Sequence, residues 1–471
     1  MNLKALAKDT VIYGMSSIVG RFLNYLLVPL YTSMIPQSEY GIVTNLYAYT
    51  AFFLAVLTFG METTLFRFSN KDGENPDRVF STSLGMVGIV AAVFVGLVVL
   101  LINPVSSAMG YSAHPQYIVC MAVIVAMDAV QAIMFSRLRQ QGRALKFMSL
   151  KLGFIIPNVL LNLAVFLLFP EFYRKFGVGI IFYVNLICTF CVNFGFIREI
   201  GGIRHGIDGK LARRMLSYSL PLLVLGLIGI LNQVADKMLF PYLMPGERGM
   251  HELGVYGACV KIAMLLSLLT QAFRYAYEPI VFNGSRDAKS PETLADGMKY
   301  FVIFALLAFL AVMCYLPVVR YFIDSRYWDG LAVVPIVMMA EIFMGVYFNL
   351  SFWYKLSDQT WWGGIMSLAG ALVMIAVNVF GVPRFSYLAC AWGGLFGYGT
   401  AMLLSWFIGQ KKFPIPYDMG KIALFSIVAM VIYAGVVMTG RLNLPYFATL
   451  GINTALIVPY CALVVREIRR R

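Results

Sequence analysis

Charge is what this chain has least of. Only 13% of its 471 residues are Asp, Glu, Lys or Arg, against about 25% in a soluble domain. That excludes a soluble enzyme, a secreted disulfide scaffold and a disordered tail protein. Acidic residues are the scarcer sign: Lys+Arg number 37, Asp+Glu 23, and the net charge is +14. Only three histidines are present, and the seven cysteines all fall inside apolar runs. Cys188 and Cys191 spell C-x-x-C, but no second pair or spaced histidine completes a zinc site, so no metal is expected. No G-x-x-x-x-G-K-[ST] loop is present, which removes ATP as a direct energy source. No loop is long enough to host a nucleophile–base constellation or acidic metal ligands. The chain reads as a non-enzyme without a cofactor.

What it has in abundance is apolar sequence. Hydrophobic residues make up 60% of the chain and its mean hydropathy is +0.78, enough for about fourteen membrane spans at ~20 residues each. The expected class is an all-α, multi-pass integral membrane protein. Spans are expected near 10–33, 41–67, 80–103, 115–135, 148–169, 177–197, 216–243, 253–278, 298–319, 331–354, 363–382, 387–409, 421–440 and 445–465. The first apolar run outlasts the apolar core of a signal peptide, so no cleaved leader is expected. Basic residues collect in alternate loops: Lys4 and Lys8, Lys71 and Arg78, the Arg137–Lys146 group, Arg213 and Arg214, Lys411 and Lys412, Arg466 and Arg469. The positive-inside rule then puts both termini in the cytoplasm, and it explains the net positive charge without a nucleic-acid partner.

The halves of the chain echo one another. Glu39-Tyr40-Gly41-Ile42 opens the second span and Glu252-Leu253-Gly254-Val255 the eighth, each after a Pro-containing stretch. The offset is 213 residues (252 less 39), and Asp128 and Glu341 keep it. Six spans per copy make the repeat parallel. The expected organisation is a six-helix lobe at 1–215, a second at 216–415, and two further helices with a basic tail at 416–471.

Ionisable groups at membrane depth are costly and face a cavity or a partner. Arg21 lies midway along the first span with Asn24 one turn on. Asp236, Lys237 and Lys261 lie at shared depth in the seventh and eighth spans. Asp236 and Lys261 are expected either to pair across the helices or to meet a ligand, with Asp236 also a gating or ion-coupling candidate, and Lys237 to reach the headgroups. Glu62 with Arg274, and Arg67 with Glu278, are candidate gate pairs. Asp128 and Glu341 are candidate ion-coupling acids, for which H+ or Na+ would be the ion. A membrane cavity walled by Arg21, Asn24, Lys261 and Arg274 suits an anionic headgroup. The glycine-rich run Gly393–Gly399 lies in an apolar span and reads as a close helix-packing surface.

Several stretches carry a resemblance: Lys8-Asp9-Thr10-Val11 through Arg21-Phe22-Leu23-Asn24, Ser38-Glu39-Tyr40-Gly41, Tyr327-Trp328-Asp329-Gly330, Asn349 to Lys355, and Phe413 to Asp418. With them the chain resembles the polysaccharide-biosynthesis flippases of the multidrug/oligosaccharidyl-lipid/polysaccharide exporter superfamily, in the version found in Bacteroidetes-type bacteria. The resemblance implies fourteen helices, with two six-helix lobes around a central V-shaped cavity plus two C-terminal helices. It implies alternating-access flipping of undecaprenyl-pyrophosphate-linked oligosaccharide across the bacterial cytoplasmic membrane for surface polysaccharide synthesis. The implied partners are that lipid carrier, membrane lipids, and polysaccharide polymerase and ligase machinery. By analogy with lipid II flippases, the last two spans would border a groove for the polyprenyl tail. The alternatives are a lipid II flippase and a cation-coupled multidrug exporter; Arg21 and Asn24 replace the acidic first-helix site usual in drug exporters.

Overall fold

In the computed structural model, residues 19, 22–23, 25–71, 73–201, 206–283, 290–442 and 444–469 are described. Among them the secondary structure is helical, without a strand. The helices are α1 (Leu27–Met34), α2 (Gln37–Thr58), α3 (Met61–Ser69), α4 (Pro76–Leu100), α5 (Pro115–Gln140), α6 (Ala144–Leu167), α7 (Pro170–Phe176), α8 (Gly179–Phe194), α9 (Gly209–Leu243) and α10 (Glu247–Asn283). They continue with α11 (Pro291–Cys314), α12 (Val333–Leu350), α13 (Trp361–Phe385), α14 (Tyr387–Lys412), α15 (Met419–Arg441) and α16 (Tyr446–Arg469). Short helical turns link several of these. Twelve helices among the described residues are long and apolar enough to span a membrane, or thirteen when α7 and α8, bent by 107°, are taken as one span. Half of the first expected span lies outside the described residues, as do Lys4 and Lys8. The chain is a multi-pass membrane protein.

The helices outrun the apolar stretches because polar caps start them one or two turns earlier. Asn75 accepts from Asp77 N, Asp208 from Lys210 N and Leu211 N, Ser290 from Thr293 N, and Asp418 from Lys421 N. Each cap satisfies a backbone donor that the first turn leaves open. By compactness the chain divides into Met1–Gly254 and Val255–Arg471.

In the first unit, Leu57, Met61 and Leu65 of α2–α3, Val79 of α4, Ile133 and Leu138 of α5, and Met215 of α9 form one buried core. The basic residues at that end are held by acids: Arg137 by Asp77, Arg214 by Glu74, and both Arg143 and Lys146 by Glu199 at 2.7 Å. The two echoed glycines meet here. A Cβ on Gly41 would lie 1.9 Å from Met250 O, and one on Gly254 would lie 1.9 Å from Gln37 O. Only hydrogen fits at either place, so α2 and the start of α10 cross backbone to backbone. The contact is reciprocal: each glycine meets the carbonyl four residues before the other.

In the second unit the Gly393–Gly399 run packs as its composition suggests. Gly397 approaches Gly370 O of α13 within 2.8 Å of a built Cβ, and Gly393 abuts the buried Asn378. The last helix docks through a polar stripe of period seven. Asn453 donates to Cys314 O at 2.9 Å, Tyr460 to Ile303 O at 3.0 Å, and Glu467 pairs with Lys299 at 3.8 Å. A seven-residue period keeps all three on one face, toward α11. The outward faces of α15 and α16, including Ile427, Val431 and Val458, are exposed and apolar, as lipid contact requires.

Candidate functional site

The site begins at a break. The second span is a single candidate crossing over Gln37–Ser69, but α2 stops at Thr58 and α3 starts at Met61. Phe59 and Gly60 take left-handed φ values of 32° and 73°. Gly60 bears this conformation without strain, and a Cβ there would also press on Leu222 and Ser219 O of α9 at 3.1 Å. Broken spans mark binding sites in transporters, because they open a cavity within the helical wall.

A cavity of about 430 Å³ opens beside this break. It is lined by Thr58, Glu62, Thr63 and Phe66 from the broken span, Arg139 from α5, and Leu222, Leu223 and Gly226 from α9. Arg139 Nη2 donates to Glu62 Oε2 at 3.0 Å and to Ser136 Oγ at 3.0 Å, while Ser136 Oγ also donates to Glu62 Oε2 at 3.3 Å. The guanidinium lies over the Phe66 ring at 5.3 Å. Behind the pair, Lys151 sits within electrostatic reach of Asp128, Glu62 and Arg139, its ammonium 4.2 Å over Phe135. Four ionisable groups therefore cancel in this wall.

A second cluster lies in the second unit. Glu278 of α10 accepts from Arg274 Nε at 3.4 Å and from Lys355 Nζ at 3.2 Å. Both cations also lie 4.8 Å over the Phe348 ring. Two cations share one carboxylate, leaving an excess positive charge on a half-exposed surface. A third cluster holds Asp236 and Lys237 of α9. Lys237 Nζ turns back to Asp236 Oδ2 at 3.0 Å and to Gln233 O. Its carbonyl accepts from Asn45 Nδ2 at 2.8 Å, and Tyr111 donates to Asn45 Oδ1 at 2.8 Å.

Arg21 and Asn24 lie outside the described residues. Lys261 and Glu341 are half-buried in α10 and α12. The residues proposed as gates find partners inside their own unit: Glu62 takes Arg139, Arg274 and Glu278 take each other, and Arg67 lies 4.2 Å over the Tyr218 ring. Asp236 takes its neighbour Lys237. Sequence reasoning missed Arg139, Lys151 and Lys355 as site residues. Arg139 and Lys355 sit at span ends, where basic residues are ordinary; Lys151 was legible, since it falls inside the span expected at 148–169. Among the described residues no cluster of metal-ligating side chains forms.

The fold has counterparts in known proteins. A family model described as polysaccharide biosynthesis protein matches residues 6–280. No curated protein matches the sequence significantly. Among solved structures, the lipid II flippase MurJ in an inward closed conformation matches with a TM-score of 0.77 at 13% identity, covering 98% of this chain and 99% of that one. An inward-facing multidrug resistance MATE family transporter of the MOP superfamily matches with a TM-score of 0.64 at 13% identity over 84% of this chain and 94% of that chain. The MATE multidrug transporter DinF-BH matches with a TM-score of 0.63 at 17% identity over 88% of this chain and 97% of that chain. At these identities the likeness is one of fold.

Proposed function

The chain belongs to the polysaccharide biosynthesis protein family and has the fold of MOP-superfamily transporters, and on that premise we propose that it flips undecaprenyl-pyrophosphate-linked oligosaccharide repeat units from the cytoplasmic to the periplasmic leaflet. The observation that carries this reading is the Arg274–Glu278–Lys355 cluster. A cation-coupled drug exporter needs an acidic pocket, whereas two cations over one aromatic ring with a single shared carboxylate favour an anionic group such as a diphosphate. From the sequence, Lys261, Arg21 and Asn24 would also be headgroup contacts. The sugar is too polar for hydrocarbon and needs protein or water around it, while the polyprenyl tail stays in lipid. Alternating access between lobes 1–215 and 216–415 would carry the headgroup across, and the helices at 416–471 would border the tail.

Each negative charge moved outward gains about 2.3 kcal/mol per 100 mV of inside-negative potential. That is a sufficient drive without a cofactor. Asp128 and Glu341 supply the alternative, exchange for H+ or Na+. Both termini would be cytoplasmic, and a polysaccharide polymerase and ligase would take the delivered unit.

Depletion in cells tests the reading. The expected result is accumulation of an undecaprenyl-pyrophosphate-linked oligosaccharide in the inner leaflet, with lipid II levels unchanged. Accumulation of lipid II would establish the peptidoglycan alternative instead, and drug sensitivity with normal lipid intermediates would establish the exporter.

A further inference from the structure

The cavity at the break of the second span differs in chemistry from the cationic cluster, and the difference identifies its ligand. A diphosphate approaching it would meet a guanidinium already neutralised by Glu62 Oε2, with Lys151 and Asp128 balanced behind. There is no excess positive charge to offset the desolvation of an anion. What the wall offers is hydrogen-bonding capacity of both signs. Glu62 is 42% exposed, and among the described residues its Oε1 has no donor; both its hydrogen bonds go to Oε2. Thr63 is exposed into the cavity with its hydroxyl uncommitted among the described residues. The Thr58 hydroxyl donates to Leu54 O at 2.8 Å and keeps a lone pair for a ligand. The Arg139 side chain is 36% exposed and makes both its hydrogen bonds through Nη2, which leaves Nη1 without an acceptor among the described residues. The rest of the lining includes apolar side chains: Phe66, under the Arg139 guanidinium, and Leu222 and Leu223 of α9. Gly226 has no heavy atom near its missing side chain, so the cavity extends over it.

Polar groups carrying donors and acceptors, apolar side chains among them, and a volume of about 430 Å³ within the small-ligand range suit a hydroxyl-rich, uncharged ring. A pyranose has that make-up, with hydroxyls around its rim and C–H groups on its faces. We infer that this cavity is a sugar subsite, holding one or two rings of the oligosaccharide by charge-assisted hydrogen bonds to Glu62 and Arg139. This rests on the flippase reading and assigns the carbohydrate to the first unit's cavity.

Binding to the full-length protein in nanodiscs tests it, with two probes: the lipid-linked oligosaccharide extracted from depleted cells, and undecaprenyl pyrophosphate without sugar. Wild type should bind the glycosylated lipid more tightly. Glu62→Gln and Thr63→Val should each weaken that binding about tenfold, as loss of a hydrogen bond to or beside a charged group does, and leave the bare carrier unchanged. Gly226→Leu, which fills the cavity without touching the ion pair, should do the same and covers the case in which Glu62→Gln fails to fold. Equal weakening of both probes by Gly226→Leu, or no weakening of the glycosylated lipid, would overturn the subsite while leaving the flippase reading in place. Failure of wild type to bind either probe would overturn both.

Discussion

Gly41 and Gly254, 213 residues apart, occupy each other's missing side-chain space: a Cβ on either would fall 1.9 Å from a carbonyl oxygen of the other helix. No rotamer relieves such an overlap, because the obstacle is backbone. Gly41→Ala and Gly254→Ala should therefore each separate α2 from the start of α10 and cost about 1–3 kcal/mol, the range for overpacking. Thermal unfolding in detergent, followed by size-exclusion chromatography, reads this. Because both residues sit at the same crossing, the double variant should cost less than the two singles added. Full additivity would mean the two helices do not move apart as one contact.

Asp236 and Lys237 form a pair with side chains only 8% and 19% exposed. Asp236→Asn leaves an ammonium in a buried place, which costs about 3–5 kcal/mol. Adding Lys237→Met removes that charge and should restore most of the stability. A double variant as unstable as Asp236→Asn would show that the carboxylate serves some other group.

The period-seven stripe on α16 makes a graded prediction. Asn453→Ala and Tyr460→Phe each remove one hydrogen bond to a backbone carbonyl of α11. Interhelical hydrogen bonds in membranes are worth about 0.6–2 kcal/mol. Each change should lower the melting temperature by a few degrees and make α15–α16 more accessible to limited proteolysis. Substitution of the outward-facing Val431 or Val458 by Leu should do neither.

Glu199 lies outside the spans and clamps Arg143 and Lys146. Burial by itself would push its carboxyl up, but hydrogen bonds from Lys146 and its own backbone, with the charges of Lys146 and Arg143, hold it below the ordinary glutamate range. A carboxylate with a depressed folded value stabilises the protein fully above its unfolded value of about 4.3 and ceases to do so as the pH falls through the folded value. Melting temperature should thus fall as the pH drops below about 4.3. In Glu199→Gln it should start lower at pH 7 and depend less on pH across that window.

Much of the architecture was legible in the sequence because membrane helices must be long and apolar whatever they pack against. The break at Phe59–Gly60 was not, since the span expected at 41–67 runs through it and the left-handed φ values that end the helix are not read from sequence. The matching Glu39–Ile42 and Glu252–Val255 stretches were visible in the sequence, but that Gly41 and Gly254 lie against each other's helix follows only from packing. Candidate site residues were legible by depth and their partners were not. Glu62 stood out as an acid in a span; Arg139, which neutralises it, looked like one more basic loop residue. Charge at depth predicts that a partner exists without saying which helix brings it.

The most direct measurement is flipping in proteoliposomes of defined orientation, with the lipid-linked oligosaccharide added to one leaflet and an inside-negative potential imposed. Wild-type protein should move the lipid outward faster than protein-free liposomes. Lys355→Ala with Arg274→Ala should abolish that movement while the protein keeps its melting behaviour, because the pair supplies the proposed diphosphate contact. Wild-type rates no higher than in protein-free liposomes, or a double variant that flips at the wild-type rate, would contradict the account.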